Sequence, residues 1–201
     1  MKLTITDRLL LLGTCLLAAY QIVEGIDNLS TIPITAYTIA FGVLLVSSLL
    51  LFILGFDALD EPVVVIISTV IPLSLSLGLV WQHLASLRTF YLVYTIIGFL
   101  AVIFSRTTSA FKKFSNAILT IVHGIAGLLI FLLPFFVAAR RQSTPAFALV
   151  GIGGALIGAD GLAFSLLRAG KTIFSKEIVY KTLPALLLLT CLAFVIGFKF
   201  G

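Results

Sequence analysis

Asp160 is an acidic side chain set well inside an apolar run, and His123 sits comparably deep in another. An ionisable group at such a depth costs roughly 2.5–3.5 kcal/mol on insertion scales, so it must face protein or water in place of lipid. At about 1.5 Å per residue, both groups lie roughly 8–11 Å in from the same end of their segments. Neighbouring antiparallel helices joined by a short link would bring them together. Asn116, Thr120, His123 and Gly127 recur at spacings of four, three and four, which places a polar stripe on one helix face. The chemistry available to this set is proton acceptance: an imidazole beside a carboxylate titrates in the physiological range and could couple or gate movement of a solute. The alternative is a static interhelical hydrogen bond that fixes packing, an interaction that averages only about 0.6 kcal/mol between membrane helices.

A second group lies near the other side of the same segments. Tyr20, Gln21, Glu24 and Asp27 end one apolar run, and Trp81, Gln82 and His83 end another. Glu24, Gln82 and His83 are the candidate members of a polar mouth that would attract a cation or a proton. Aromatic and polar residues at this depth also form the ordinary interfacial belt.

Other chemistries lack their residues. The acidic link with Asp57, Asp60 and Glu61 does not have the ligand spacing of a recognised cation loop. No Cys or His cluster has zinc spacing, no glycine-rich phosphate loop follows a strand, and no serine sits in a nucleophile motif. Retinal attachment needs a lysine deep in the last helix, whereas Lys181 and Lys199 bracket that run. His83 and His123 lie near opposite faces, a poor arrangement for haem. The expectation is a protein with no metal and no cofactor, and not an enzyme; catalysis would have to rest on Asp160, His123 and scattered hydroxyls. Cys15 and Cys191, each inside an apolar run, read as buried free thiols.

The elements that must position these residues follow from composition. The chain is 61% hydrophobic and 10% charged, with a mean hydropathy of +1.24. Soluble domains are roughly 45–50% apolar and about 25% charged, so the solvent for most of this chain is lipid. A core of about 30 Å needs roughly 17–25 apolar residues per crossing. Seven runs qualify, at residues 5–26, 34–56, 63–83, 89–105, 117–139, 146–167 and 183–200. The expected architecture is all-α, a polytopic transmembrane bundle of about seven helices forming a single domain over residues 1–201. The first and fourth runs are short or polar at their edges, which leaves six spans and one interfacial segment as the alternative count.

Each gap holds the charges, prolines or polar residues that end a span, with Pro33, Pro62 and Pro145 at helix starts. Lys2 and Arg8 precede the first run, but no small-residue cleavage pattern follows, so it reads as a retained helix. Nine lysines and arginines fall on the N-terminal side of the membrane, against Arg88, Arg140, Arg141 and Lys199 on the other. This bias places the N-terminus in the cytoplasm, with the plasma membrane as the expected location. The formal charge of +5 is spread over loops and helix ends, without the basic patch that nucleic acid requires. Arg106, Lys112, Lys113, Lys171, Lys176 and Lys181 would instead meet anionic lipid or a soluble partner.

Gly151, Gly154, Gly158 and Gly161, spaced three, four and three, form a small-residue stripe on which another helix can approach closely. Asp160 points away from that stripe, toward Leu149, Gly153 and Leu156, so the sixth helix is expected to meet protein on two sides.

Two internal repeats fit. Ser30-Thr31-Ile32-Pro33 leading to Ala40-Phe41-Gly42 is similar to Ser143-Thr144-Pro145 leading to Ile152-Gly153-Gly154. That relation pairs helices one to three with five to seven as a parallel duplication around the fourth. In the other, each odd helix, short link and even helix forms one hairpin. The stretch His123-Gly124-Ile125-Ala126-Gly127 to Pro134, followed by Gly151-Ile152-Gly153-Gly154 to Gly158-Ala159-Asp160-Gly161, resembles the helix-Pro-link-helix hairpins of the HdeD-like acid-resistance membrane proteins over about 50 residues. That family has six helices, so a seventh here is a departure, and no functional residue carries across. Two functions remain open: a small solute or proton transporter, channel-like or stress-response protein centred on Asp160, and a non-catalytic subunit or assembly factor of a larger membrane complex. Its partners would be the bilayer, other membrane subunits or further copies of the chain.

Overall fold

The computed structural model describes residues 3–26, 29–168 and 175–201. Its seven helices are α1 (Ile5–Glu24), α2 (Thr31–Leu54), α3 (Pro62–His83), α4 (Arg88–Thr107), α5 (Ser115–Ala139), α6 (Ala148–Arg168) and α7 (Lys176–Phe200). No strand occurs among the described residues. All seven helices contribute segments long and apolar enough to cross a membrane, and the chain is an integral, multi-pass membrane protein. Helix is the required form, because a backbone in hydrocarbon must satisfy its own N–H and C=O groups. Lys2, Asp27 and Lys171 lie outside the described residues.

Helix ends follow local chemistry. Thr4 and Asp7 form a reciprocal capping box at the start of α1, with the Thr4 N–H donating to the Asp7 carboxylate at 2.8 Å and the Asp7 N–H to the Thr4 hydroxyl at 3.1 Å. Gly25, at φ 72°, ends that helix at Glu24, short of the expected residue 26; only glycine adopts this φ without strain. α7 departs most from expectation. It begins at Lys176 and not at residue 183, so Pro184 lies inside the helix. Ser175 caps the added turns by accepting from the Ile178 N–H at 3.3 Å, and Val179 and Tyr180 are buried by packing, which offsets polar Lys176, Glu177 and Lys181. Pro72 and Pro134 are likewise internal, in α3 and α5.

Six helices close into a ring in the order α1, α2, α3, α5, α6, α7, with α7 returning to α1. α4 stands outside, packed on α3 and α5, with Phe90, Ile97 and Phe104 exposed toward lipid. This is the neighbour order a parallel duplication of three helices requires. A hairpin repeat would make α3–α4 equivalent to α1–α2 and α5–α6, and the ring does not use α4 that way.

The interior of the ring is filled by side chains in two layers. One holds Phe41, Leu75, Leu79, Ile130, Phe194 and Phe198; the other holds Leu11, Leu51, Phe56, Val179, Tyr180 and Leu183. Because lipid tails are as apolar as these side chains, close packing and dispersion, and not transfer from water, hold the layers together. The Phe41 ring meets Phe194 and Phe198 edge-on, at centroid distances of 6.4 and 6.2 Å.

Candidate functional site

Asp160 lies on α6 on a stripe with Gly153, Ile157 and Phe164. A Cβ on Gly153 would sit 2.7 Å from the Phe194 ring and 3.2 Å from the Thr190 carbonyl oxygen, so this stripe faces α7. Phe164 continues it against Tyr180, at 5.3 Å between centroids. The glycine stripe serves α5, as expected: a Cβ on Gly154 would stand 2.7 Å from Ile130 Cγ2 and 3.0 Å from the Ile130 carbonyl carbon, and one on Gly151 would stand 2.7 Å from the Phe131 oxygen. α6 therefore meets protein on two sides. The stripe is only half used, because Gly158 and Gly161 have nothing within 4 Å of an added Cβ.

Asp160 is 7% exposed and makes no hydrogen bond or ion pair among the described residues. Antiparallel packing that sets Gly153 against Thr190 sets Asp160, seven residues on, beside Leu183, seven residues back. The carboxyl is thus level with Pro184, between the two apolar layers. Ile157 packs on one layer and Phe164 on the other.

The expected proton-accepting pair does not assemble. His123 and Asp160 form no hydrogen bond or ion pair with each other, because Asp160 faces α7 and His123 lies on α5. His123 is half-buried with Nδ1 enclosed and unpaired. Asn116 and Thr120 are exposed on the outside of α5, and Asn116 Oδ1 accepts from the Arg106 guanidinium at 3.4 Å. The polar stripe of α5 consequently leads away from Asp160.

At the opposite face the cluster residues are divided among separate partners. Glu24 pairs with Lys199 at 3.0 Å, and the Lys199 ammonium also donates to the Tyr20 hydroxyl, so both groups tie α1 to α7. Gln82 Oε1 accepts from the Tyr37 hydroxyl at 3.1 Å, and the His83 ring packs 5.1 Å from Phe147 with Nε2 buried and unpaired. Glu24 and His83 do not converge on one site. Beside them, a crevice of about 20 Å³ is lined by Gln21, Gly25, Tyr37 and Phe41, room for about one water.

The sequence does not single out Ser48, and marks Lys199 only as a charge at the end of the last run. Ser48, on the inward stripe of α2 with Phe41, Leu44 and Leu51, is fully buried and its hydroxyl has no partner. A serine in an apolar helix ordinarily bonds back to its own backbone, as Ser68 does to the Val65 carbonyl at 3.0 Å, and nothing in the local sequence separates the two cases. Cys15 and Cys191 are free and buried, their thiols directed at the carbonyls of Leu45 and Thr14, each at 3.8 Å. No group of three or more potential metal ligands occurs among the described residues. Comparison with protein-family models, with curated proteins and with solved structures finds no match to this chain.

Proposed function

We propose that this protein is a small proton-coupled membrane transporter whose protonation site is Asp160. One observation carries the reading: a carboxyl 7% exposed, inside a helical bundle, that makes no hydrogen bond or ion pair among the described residues. A side chain in that position is expensive to keep for packing alone and is by default functional. Protonation removes the charge, and conversion between the two forms gives the bundle two electrostatic states. The titratable groups on the helices packed against α6 are His123 on α5 and Lys176, Glu177, Tyr180, Lys181, Cys191 and Lys199 on α7; Lys176, Glu177, Lys181 and Lys199 are exposed, and His123 is unpaired with Asp160. Asp160 is therefore the group that takes the proton.

The ring architecture supports the same reading. Secondary transporters are commonly built from repeated helical units, with the coupling site near the interface of the repeats. The N-terminal face is the cytoplasmic one in this reading, because it carries the greater number of basic residues. A role under acid stress, implied by the HdeD-like resemblance, is compatible with a proton-accepting centre.

The test is proton flux into reconstituted vesicles, followed with an enclosed pH-sensitive dye under an imposed pH gradient. Asp160→Asn is expected to reduce protein-dependent flux to the level of empty vesicles. Unchanged flux in that variant would discard the reading. The rival, a non-catalytic subunit of a larger complex, is favoured by α4, of which 17% is buried against 50% of α3. Stoichiometric membrane partners retained in mild detergent, together with absent flux, would establish it.

A further inference from the structure

A shift of 112 residues carries Pro33 onto Pro145 and, without adjustment, Pro72 onto Pro184. The same shift carries Ala36 onto Ala148, Gly42 onto Gly154 and Phe52 onto Phe164. It lays α1 on α5, α2 on the turn at Pro145–Phe147 and α6, and α3 on α7, while α4 stays outside. The buried faces coincide in part, although buried Ala40 and Thr69 fall on exposed Ile152 and Lys181, and Leu77 and Val80, which pack with Tyr91 of α4, fall on exposed Leu189 and Leu192. Thr14 and Ala126 are both fully buried, as are Leu79 and Cys191, and Ala18, Gln21 and Ile71 are each matched by a buried residue, Ile130, Leu133 and Leu183. Apolar helices match one another easily in composition, so the register rests on the shared prolines and on the positions that stay inward in both halves, since a side-chain stripe rotates by about 100° per residue. The ring closes in the way this relation demands: α3 meets α5 as α7 meets α1.

Under this shift Ser48 falls on Asp160. Both are buried, and both lack a hydrogen-bond partner among the described residues. Both lie between the two apolar layers: Leu44 and Leu51 flank Ser48 as Ile157 and Phe164 flank Asp160. Each also lies near a proline in the following helix: Asp160 is level with Leu183, next to Pro184, while Tyr37 packing on Gly78 sets Ser48, eleven residues on, beside Ile67, eleven residues back, next to Ser68 and about one and a half turns from Pro72. Pro72 and Pro184 lack the N–H groups that would pair with the carbonyls of Ser68 and Tyr180. Each half of the protein therefore holds one unpaired side-chain oxygen on its second helix and one freed carbonyl on its third.

We propose that Ser48 and Asp160 are equivalent positions of an internally duplicated site, and that a proton-accepting carboxyl placed at either one operates the bundle. This rests on the reading of Asp160 as the protonation site and adds Ser48 as its neutral counterpart. A protonated carboxyl is a donor, for which the freed Tyr180 carbonyl about one turn from its level would be the acceptor, whereas the ionised form presents only acceptor oxygens. The hydroxyl of Ser48 is neutral in every state, so that one repeat is constant while the other switches.

The experiment exchanges the two residues. Asp160→Ser alone is expected to lose dye-detected proton flux by at least tenfold, and the exchange Ser48→Asp with Asp160→Ser to recover it to within about threefold of the native protein. Thr190→Asp with Asp160→Ser places a carboxyl at another buried hydroxyl, whose counterpart is Gly78, and is expected to recover nothing. A second readout does not depend on transport: the pH-dependent infrared band of a protonated carboxyl in detergent should vanish in Asp160→Ser and return in the exchange variant with the same titration midpoint as the native protein. An exchange variant that elutes as a single species with native helix content, yet shows neither flux nor that band, overturns the equivalence. Native flux insensitive to Asp160→Asn would overturn the transport reading and leave the infrared comparison to decide the duplication by itself.

Discussion

Gly154 and Gly158 belong to one small-residue stripe and are separated by one helical turn, yet alanine at the two positions should act with opposite sign. A Cβ at Gly154 would lie 2.7 Å from Ile130 Cγ2, 3.0 Å from the Ile130 carbonyl carbon and 3.0 Å from the Phe131 nitrogen. Two of those three atoms are backbone, so relief requires α5 and α6 to move apart and not a rotamer change. Overpacking of this kind costs about 1–3 kcal/mol. At Gly158 nothing lies within 4 Å, and alanine gains up to about 1 kcal/mol in helix propensity with no opposing contact. For a chain of this length 1 kcal/mol moves a melting temperature by about 2–4 °C, so Gly154→Ala, whose overpacking is partly offset by the same propensity gain to leave about 1 kcal/mol at the middle of its range, should melt about 2–4 °C below the native protein. Gly158→Ala should melt at or slightly above it. Thermal loss of the monodisperse peak in detergent measures both. A Gly154→Ala protein as stable as the native one, or a Gly158→Ala protein destabilised to the same degree, would refute the assignment of α5 to the Gly151–Gly154 half of the stripe.

Two further outcomes follow from packing. Phe41→Ala removes a ring held between Phe194 and Phe198 at the centre of the ring of helices, and should cost about 3–5 kcal/mol, measured by the same thermal assay; a loss below that of Gly154→Ala would show that the interior is not tightly filled. Cys15 and Cys191 are buried, so both thiols should resist a maleimide reagent in the folded protein and react only on denaturation, and rapid labelling of Cys191 in the native state would contradict the contact between α7 and α1.

The spans and the existence of Asp160 as a costly buried acid were legible in the residues, while its partner was not. His123 and Asp160 share a depth, and depth is all that counting residues along two helices supplies. Whether they meet depends on the rotation of each helix about its own axis, and Gly153 against Phe194 turns the carboxyl to α7. Ser48 was equally hidden, since a serine in an apolar helix resembles every other serine that bonds to its own backbone. Glu24 and His83 shared a side of the membrane but not a site, because Lys199, placed near them only by the return of α7 to α1, takes Glu24.

Hydrophobic length and composition alone determined that this chain lies in lipid and crosses as helices, and narrowed the count to six or seven, because hydrocarbon leaves a backbone no other way to pair its polar groups. The order of helices around the ring, the exclusion of α4 and the face each helix turns inward were decided by the tertiary structure. Apolar helices in an apolar solvent carry no strong amphipathic signal, so shape complementarity between particular side chains and glycines is what selects their neighbours.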